Sequence, residues 1–289
     1  ETRALTTRVI FEGRRAVGVE YLQNGVRKIA KARREVILAG GAINSPQLLQ
    51  LSGVGPGELL RDHGIEVVAD LPGVGENLQD HYVMAVTYRL KAGTVSVNEL
   101  TKGPRFLGEV LKYAFQRKGL LTLSAAHVAA FCKSRHDLAG PDIQFHILPA
   151  SQNLEKAMSG KMELDGAPGL TIAPCQVRPE SRGTIHIKSA DPTVYPAIAP
   201  NYLSDPLDQE VAVAGLKWGR KIAAQPALAP YIDHEMLPGP DFSNDEALLG
   251  YARMAGSTIY HPVGTCQMGS GPMAVVDAQL RVRGVEGLR

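Results

Sequence analysis

The chain has 289 residues, 44% apolar and 21% charged, with a formal net charge of +2. That length and balance give a globular protein of one large domain or two ordinary ones. They supply no general electrostatic pull towards nucleic acid or membranes, and no apolar run reaches the ~18 residues of a membrane-spanning helix. Cys132, Cys175 and Cys266 are widely spaced and form no CxxC pair. They suggest neither a disulfide framework nor a zinc site, and favour a reducing, cytoplasmic setting.

Thr6 to Phe11 and Ala16 to Leu22 are rich in β-branched and apolar side chains around a Glu12-Gly13 turn, and predict two strands. Asn24-Gly25 between Tyr21-Leu22 and Val26-Arg27 predicts a tight hairpin. The cations Arg27, Lys28, Lys31, Arg33 and Arg34 alternate with small and apolar residues and lack neighbouring aromatics, which predicts a solvated strand face. Glu35 to Ala39 predicts a buried strand. Small residues follow it, Gly40-Gly41-Ala42, and leave room for a ligand at a strand's carboxyl end. Ser45 as cap and Pro46 as first helical residue predict a helix from Pro46 to Ser52, closed by Gly53.

Gly53-Val54-Gly55-Pro56-Gly57 follows a helix and is interrupted by proline, so it predicts capping and turns rather than a phosphate cradle. A short helix over Glu58 to His63 and a strand over Ile65 to Ala69 come next, then a turn at Gly73-Val74-Gly75. Asp80 and His81 are neighbours and would point apart in a strand, so they make no ready dyad. From Tyr82 the alternating stretches Val83 to Leu90, Ile143 to Leu148 and Thr184 to Ile187 predict a second sheet. Helices are expected over Arg105 to Arg117, Asp208 to Ala224 and Asn244 to Met254, the last capped by Ser243. Ser151 to Pro168 has weak periodicity and predicts a loop or lid.

Chemistry concentrates in Tyr260-His261-Pro262-Val263-Gly264-Thr265-Cys266-Gln267-Met268-Gly269. Proline after His261 biases the backbone towards extension, and Gly264 and Gly269 allow tight turns and close approach. An imidazole, which titrates near neutrality, suits a general base held in such a segment. No GxSxG elbow, HExxH, metal-spaced His/Cys cluster, Walker motif or intact GxGxxG occurs. His146 beside Gln144 and Phe145 is a lesser candidate for lining a pocket.

Gly41 to Gly55, reading GAINSPQLLQLSGVG, resembles the second signature of the glucose–methanol–choline (GMC) flavoprotein oxidoreductases. So do GVGENLQDH at Gly73 to His81, SRGT at Ser181 to Thr184 continuing to Asn201-Tyr202-Leu203, HPVGTCQMG at His261 to Gly269, and Val275 to Leu288. The blocks fall in family order and span essentially the whole chain, with most likeness to the bacterial choline/alcohol dehydrogenase-like branch.

The resemblance implies an α/β fold: part of a Rossmann-type FAD-binding domain (residues 1–81 and 255–289) and a substrate domain on an antiparallel sheet (82–254). It implies FAD as cofactor, a small-molecule alcohol as substrate, and His261 as the base that takes the hydroxyl proton while hydride passes to flavin N5. It also implies cofactor contacts along Ala39, Gly40, Gly41 and Ala42, and a backbone contact to the adenine at Thr6, where valine is commoner. The family's amino-terminal GxGxxG and its second catalytic His or Asn fall outside the chain, so a fragment inactive on its own is expected. One tryptophan and 6% aromatics give a choline-binding aromatic cage no special support. A hydroxynitrile lyase on the same scaffold and a non-catalytic binding module are the alternative readings.

Overall fold

The computed structural model describes residues 1–124, 126–153, 156, 161 and 163–289. The chain divides into two units: one of residues 1–80, 180–204 and 260–289, the other of 81–179 and 205–259. The segment expected as a loop or lid over 151–168 lies partly outside the described residues.

The first unit opens with an antiparallel meander of β1 (Ala4–Glu12), β2 (Arg15–Gln23) and β3 (Val26–Lys31). Asn24 and Gly25 both take positive φ, 52° and 77°, between paired Gln23 and Val26, as a two-residue hairpin requires. Every residue of β3 is exposed, so its cations are solvated. The Glu35–Ala39 run is less buried than its pattern suggests. Val36 is buried and pairs in parallel with Leu288, but Ile37 is 65% exposed.

Helix α1 runs Gly41–Leu51, so it starts five residues before the predicted Pro46. Pro46 lies inside it, and Ser45 does not cap it; its Oγ accepts from the Gly40 N–H at 3.0 Å. Proline inside a helix deprives the carbonyl four residues back of a donor. Here that carbonyl belongs to Ala42, and the Thr265 hydroxyl donates to it at 2.5 Å. A side chain 223 positions away therefore supplies the missing bond. No local signal announces it.

Beyond α1, β4 (Val54–Gly55) pairs in parallel with β5 (Ala69–Asp70), flanking helix α2 (Gly57–Asp62). Only Ala69 of the predicted Ile65–Ala69 strand falls in β5. Valines 9, 36, 54, 74, 275, 276 and 282 with Leu49 and Leu288 form the core.

The second unit is built on a seven-stranded antiparallel sheet. Its strands are β6 (Tyr82–Val83), β7 (Val86–Leu90), β8 (Val128–Cys132), β9 (Ile143–Leu148), β10 (Gly169–Gln176), β13 (Ile232–Leu237) and β14 (Ser257–Thr258). Between them in sequence come α3 (Val97–Leu100) and α4 (Gly103–Gln116). The Thr184–Ile187 stretch does not join this sheet. It forms β11 (Thr184–His186), which pairs with β12 (Ala197–Ala199) in the first unit.

Helix α5 (Pro206–Ala223) is capped by Asp205, whose carboxylate accepts from the Leu207 N–H at 2.8 Å. Its buried stripe is Asp208, Val211, Ala212, Gly215, Leu216, Gly219 and Ala223. Trp218 and Ile222, apolar and at helical spacing from Val211, are only part-buried, and Lys221 stacks its ammonium 4.3 Å from the indole centroid. Small residues win the inner face because the helix lies close to the sheet. A Cβ at Gly215 would stand 2.9 Å from Pro174 Cβ, and one at Gly219 would stand 3.0 Å from Val86 Cγ2. Helix α6 (Asp245–Ala255) is capped by Asn244, not Ser243; the Asn244 side chain accepts from the Ala247 N–H.

Candidate active site

Three sequence-distant segments of the first unit meet along Leu78–Asp80. Leu78 exchanges both backbone hydrogen bonds with Gly183, and Gln79 exchanges both with Val263. The central stretch is thus paired on either side, by the SRGT segment and by the HPVGT segment. Gly75 extends the arrangement: its N–H bonds to Thr265 O at 2.9 Å, and its carbonyl accepts from Ile185 N at 2.7 Å. Gly264 adopts φ +97°, and a Cβ there would stand 2.3 Å from the Asn77 carbonyl oxygen, so this contact demands glycine. Gly269 meets nothing closer than 3.5 Å, and close approach falls to Gly264 alone of the two.

Asp80 emerges as the organising side chain, although its sequence position gave no sign of it. It is 9% exposed. One carboxylate oxygen accepts the His261 backbone N–H at 2.9 Å, and the other accepts the Tyr202 hydroxyl at 2.6 Å. Immediately before His261, Tyr260 holds φ +63°, a left-handed conformation that costs a bulky residue energy. The carboxylate therefore anchors the backbone at the point where the chain is strained. The buried Gln50 performs a comparable service for β11, donating to Val74 O and Ile185 O and accepting from Ile187 N at 2.9 to 3.1 Å. Sequence reasoning missed both. Their partners lie 24 to 181 residues away.

Two cavities adjoin in this unit. A space of about 820 Å³ is lined by Thr6, Ala39, Gly40, Asn44 and Ser45, with Pro192 to Tyr195 on another wall. A second, of about 720 Å³, is lined by Ala39, Gly41, Ala42, Ser45 and Pro262 to Cys266. Ile37, Leu38, Ala39 and Ser45 border both. Of the residues expected at the cofactor, Thr6 and Gly40 line the first cavity, Gly41 and Ala42 the second, and Ala39 both. Gly41 takes φ +74°, which a larger residue adopts only with strain. Small side chains at Ala39, Gly40, Gly41 and Ala42 leave room for a ligand to lie close to the backbone there. His261 is exposed and lines neither cavity; the five residues that follow it line the second. Burial pushes the Cys266 thiol in that wall up to about 12.

The GMC oxidoreductase family models match residues 1–83 and 179–289. The chain belongs to the GMC oxidoreductases. It is 42% identical over 292 aligned positions to an alcohol dehydrogenase [acceptor] of Pseudomonas putida, and 44% identical over 289 to an oxygen-dependent choline dehydrogenase of Chromohalobacter salexigens. In both cases all of this chain is covered but only 52% and 51% of the relative. The chain spans about half the length of these relatives. A formate oxidase of Aspergillus oryzae, solved in connection with its FAD modification, superposes with a TM-score of 0.90 at 25% identity. That match covers 99% of this chain and 54% of the oxidase. Three of the GMC blocks named in the sequence, those at 73–81, 181–184 and 261–269, are the segments that pair along Leu78–Asp80.

Proposed function

We propose that the protein containing these 289 residues is an FAD-dependent oxidoreductase that oxidises a primary alcohol to an aldehyde. The observation that carries this reading is the convergence of three GMC blocks on Asp80 and His261, beside a cavity wall of Ala39, Gly41, Ala42 and Pro262 to Cys266. Thr6, through its backbone, and Ala39, Gly40, Gly41 and Ala42 would hold FAD, which supplies a hydride acceptor at N5 when bound. His261 takes the proton of the substrate hydroxyl. Asp80 keeps its backbone in register through the N–H bond, and Tyr202 fixes the far oxygen of that carboxylate. Gly264 lets the His261 segment lie against Asn77 without a clash.

The unit of residues 1–80, 180–204 and 260–289 is the cofactor-holding part of this scheme, and the 81–179 and 205–259 unit the substrate domain. On this reading the 289 residues alone turn over no alcohol. The test is a visible spectrum of the full-length protein, followed by anaerobic addition of a panel of primary alcohols. A flavin spectrum that bleaches in the parent protein and bleaches at least about a hundredfold more slowly in His261→Ala supports the assignment. A protein that binds no flavin refutes it. Flavin that binds and never bleaches refutes the redox reaction.

A further inference from the structure

The Thr265 hydroxyl does more in the first unit than complete helix α1. Thr265 is 1% exposed and stands four residues after His261, in the wall of the cavity of about 720 Å³. Its Oγ donates to Ala42 O at 2.5 Å, and Ala42 lines the same cavity from the first turn of α1.

Backbone bonds hold this segment to a different stretch of chain. Val263 exchanges both of its bonds with Gln79, and the Gly264 carbonyl accepts from Asn77 Nδ2 at 3.3 Å. The Thr265 carbonyl accepts from the Gly75 N–H at 2.9 Å. Gly75 has no slack, since a Cβ there would stand 2.1 Å from Ile185 O and 2.5 Å from Gln50 Nε2. The backbone after His261 is therefore fixed to Gly75–Gln79, and the Thr265 side chain carries that frame across to α1.

The turn it reaches belongs to the expected cofactor wall. Gly41 holds φ +74° there, and the Gly40 N–H is tied to Ser45 Oγ at 3.0 Å. Pro46 has no N–H to offer Ala42, so the carbonyl is left for the hydroxyl. Stabilising the helix alone needs no such device, because any other residue at position 46 has an N–H to donate. Pairing a donorless residue with a distant donor makes the position of the turn depend on the His261 segment instead.

We propose that Thr265 is a positioning residue, which sets the separation between the cofactor wall at Ala42 and the backbone that carries His261. The inference rests on the FAD-dependent oxidation proposed above. In Thr265→Val a methyl replaces the hydroxyl, and a carbon approaches a carbonyl oxygen only to about 3.3 Å. Against the 2.5 Å of the present bond, the turn and the segment must part by about 0.8 Å. Reacting groups misplaced by about an ångström lose roughly a hundredfold in rate.

The test uses the full-length parent, Thr265→Val, Thr265→Ser, and Thr265→Val combined with Pro46→Ala. Each is followed by anaerobic flavin reduction with a primary alcohol, by the FAD dissociation constant from flavin fluorescence, and by urea unfolding of the apoprotein. Thr265→Val should reduce its flavin roughly tenfold to a hundredfold more slowly at saturating alcohol, and should bind FAD about threefold or more weakly. Its half-saturating alcohol concentration should stay within about twofold of the parent, since position and not substrate binding is lost. Thr265→Ser keeps the donor and should stay within about threefold of the parent in rate and FAD affinity. Adding Pro46→Ala returns an N–H to Ala42 O and should recover part of the unfolding midpoint, while reduction stays slow because the turn remains uncoupled from the His261 segment. Rate and midpoint recovering together overturn the proposal, because the bond is then structural only. So does a Thr265→Val protein that binds FAD and reduces it as the parent does, or a Thr265→Ser protein as slow as the valine variant. Those results leave the FAD-dependent reading standing, whereas a parent that binds no flavin, or whose flavin no alcohol bleaches, overturns both.

Discussion

Replacing Asp80 tests whether the backbone anchor of His261 is as central as the geometry makes it. Asp80→Ala removes two charge-assisted hydrogen bonds, to the His261 N–H at 2.9 Å and to the Tyr202 hydroxyl at 2.6 Å. Bonds of this kind contribute about 1.5–3 kcal/mol each. His261 is exposed and Tyr202 half-buried, so water recovers part of the loss, and the expected cost is about 2–4 kcal/mol. Asp80→Asn separates charge from shape. Its amide oxygen still accepts from His261 N–H, and its NH₂ donates to the Tyr202 oxygen, so it should cost only about 1 kcal/mol. Urea unfolding of the chain measures both. Amide hydrogen exchange at His261, faster in Asp80→Ala and near native in Asp80→Asn, locates the effect. On the mechanism proposed above, the alanine variant of the full-length protein should also slow flavin bleaching by alcohol, because a base displaced by about an ångström loses roughly a hundredfold in rate. An Asp80→Ala chain within about 0.5 kcal/mol of the parent, or an asparagine variant as damaged as the alanine one, would refute the reasoning.

Thr265→Val strips the donor from the Ala42 carbonyl and should cost about 1–2 kcal/mol; adding Pro46→Ala returns an N–H to that carbonyl and should recover part of it, which a double-mutant cycle in urea reads directly. Gln50→Leu leaves two buried carbonyls and one N–H unpaired and should destabilise by about 3 kcal/mol or more, with fluorescence-detected unfolding as the check. Burial pushes the Cys175 thiol up to about 11 and the Cys266 thiol to about 12, whereas unfolded thiols ionise near ~8.5. The unfolded chain thus sheds protons first, so the stabilisation is intact below about pH 8.5 and lost as pH rises towards about 11–12; unfolding midpoints that rise across that window would contradict the burial. Gly264→Ala would force a Cβ to 2.3 Å from Asn77 O at φ +97° and should cost about 2 kcal/mol or more, seen as a lowered melting temperature.

Some of this protein follows from the sequence alone. The Asn24-Gly25 hairpin, the Ile143–Leu148 strand and the helix ending at Ala223 are set by signals within a few residues: positive-φ tolerance, alternation, and apolar residues at helical spacing stopped by Pro226. The GMC blocks were legible as a resemblance, through runs of side chains in family order. Tertiary structure decided how those runs pair and what supports them. Pro46 breaks a helix in isolation, yet α1 begins before it because Thr265 donates to the carbonyl that proline leaves bare. On α5 the glycines won the inner face from Trp218, because distance to the sheet outweighed apolar area. Asp80 resembled half of a failed dyad with His81. It became the anchor of His261 because folding brought together residues 181 positions apart, and no local pattern encodes a hydrogen bond whose partner is chosen by packing.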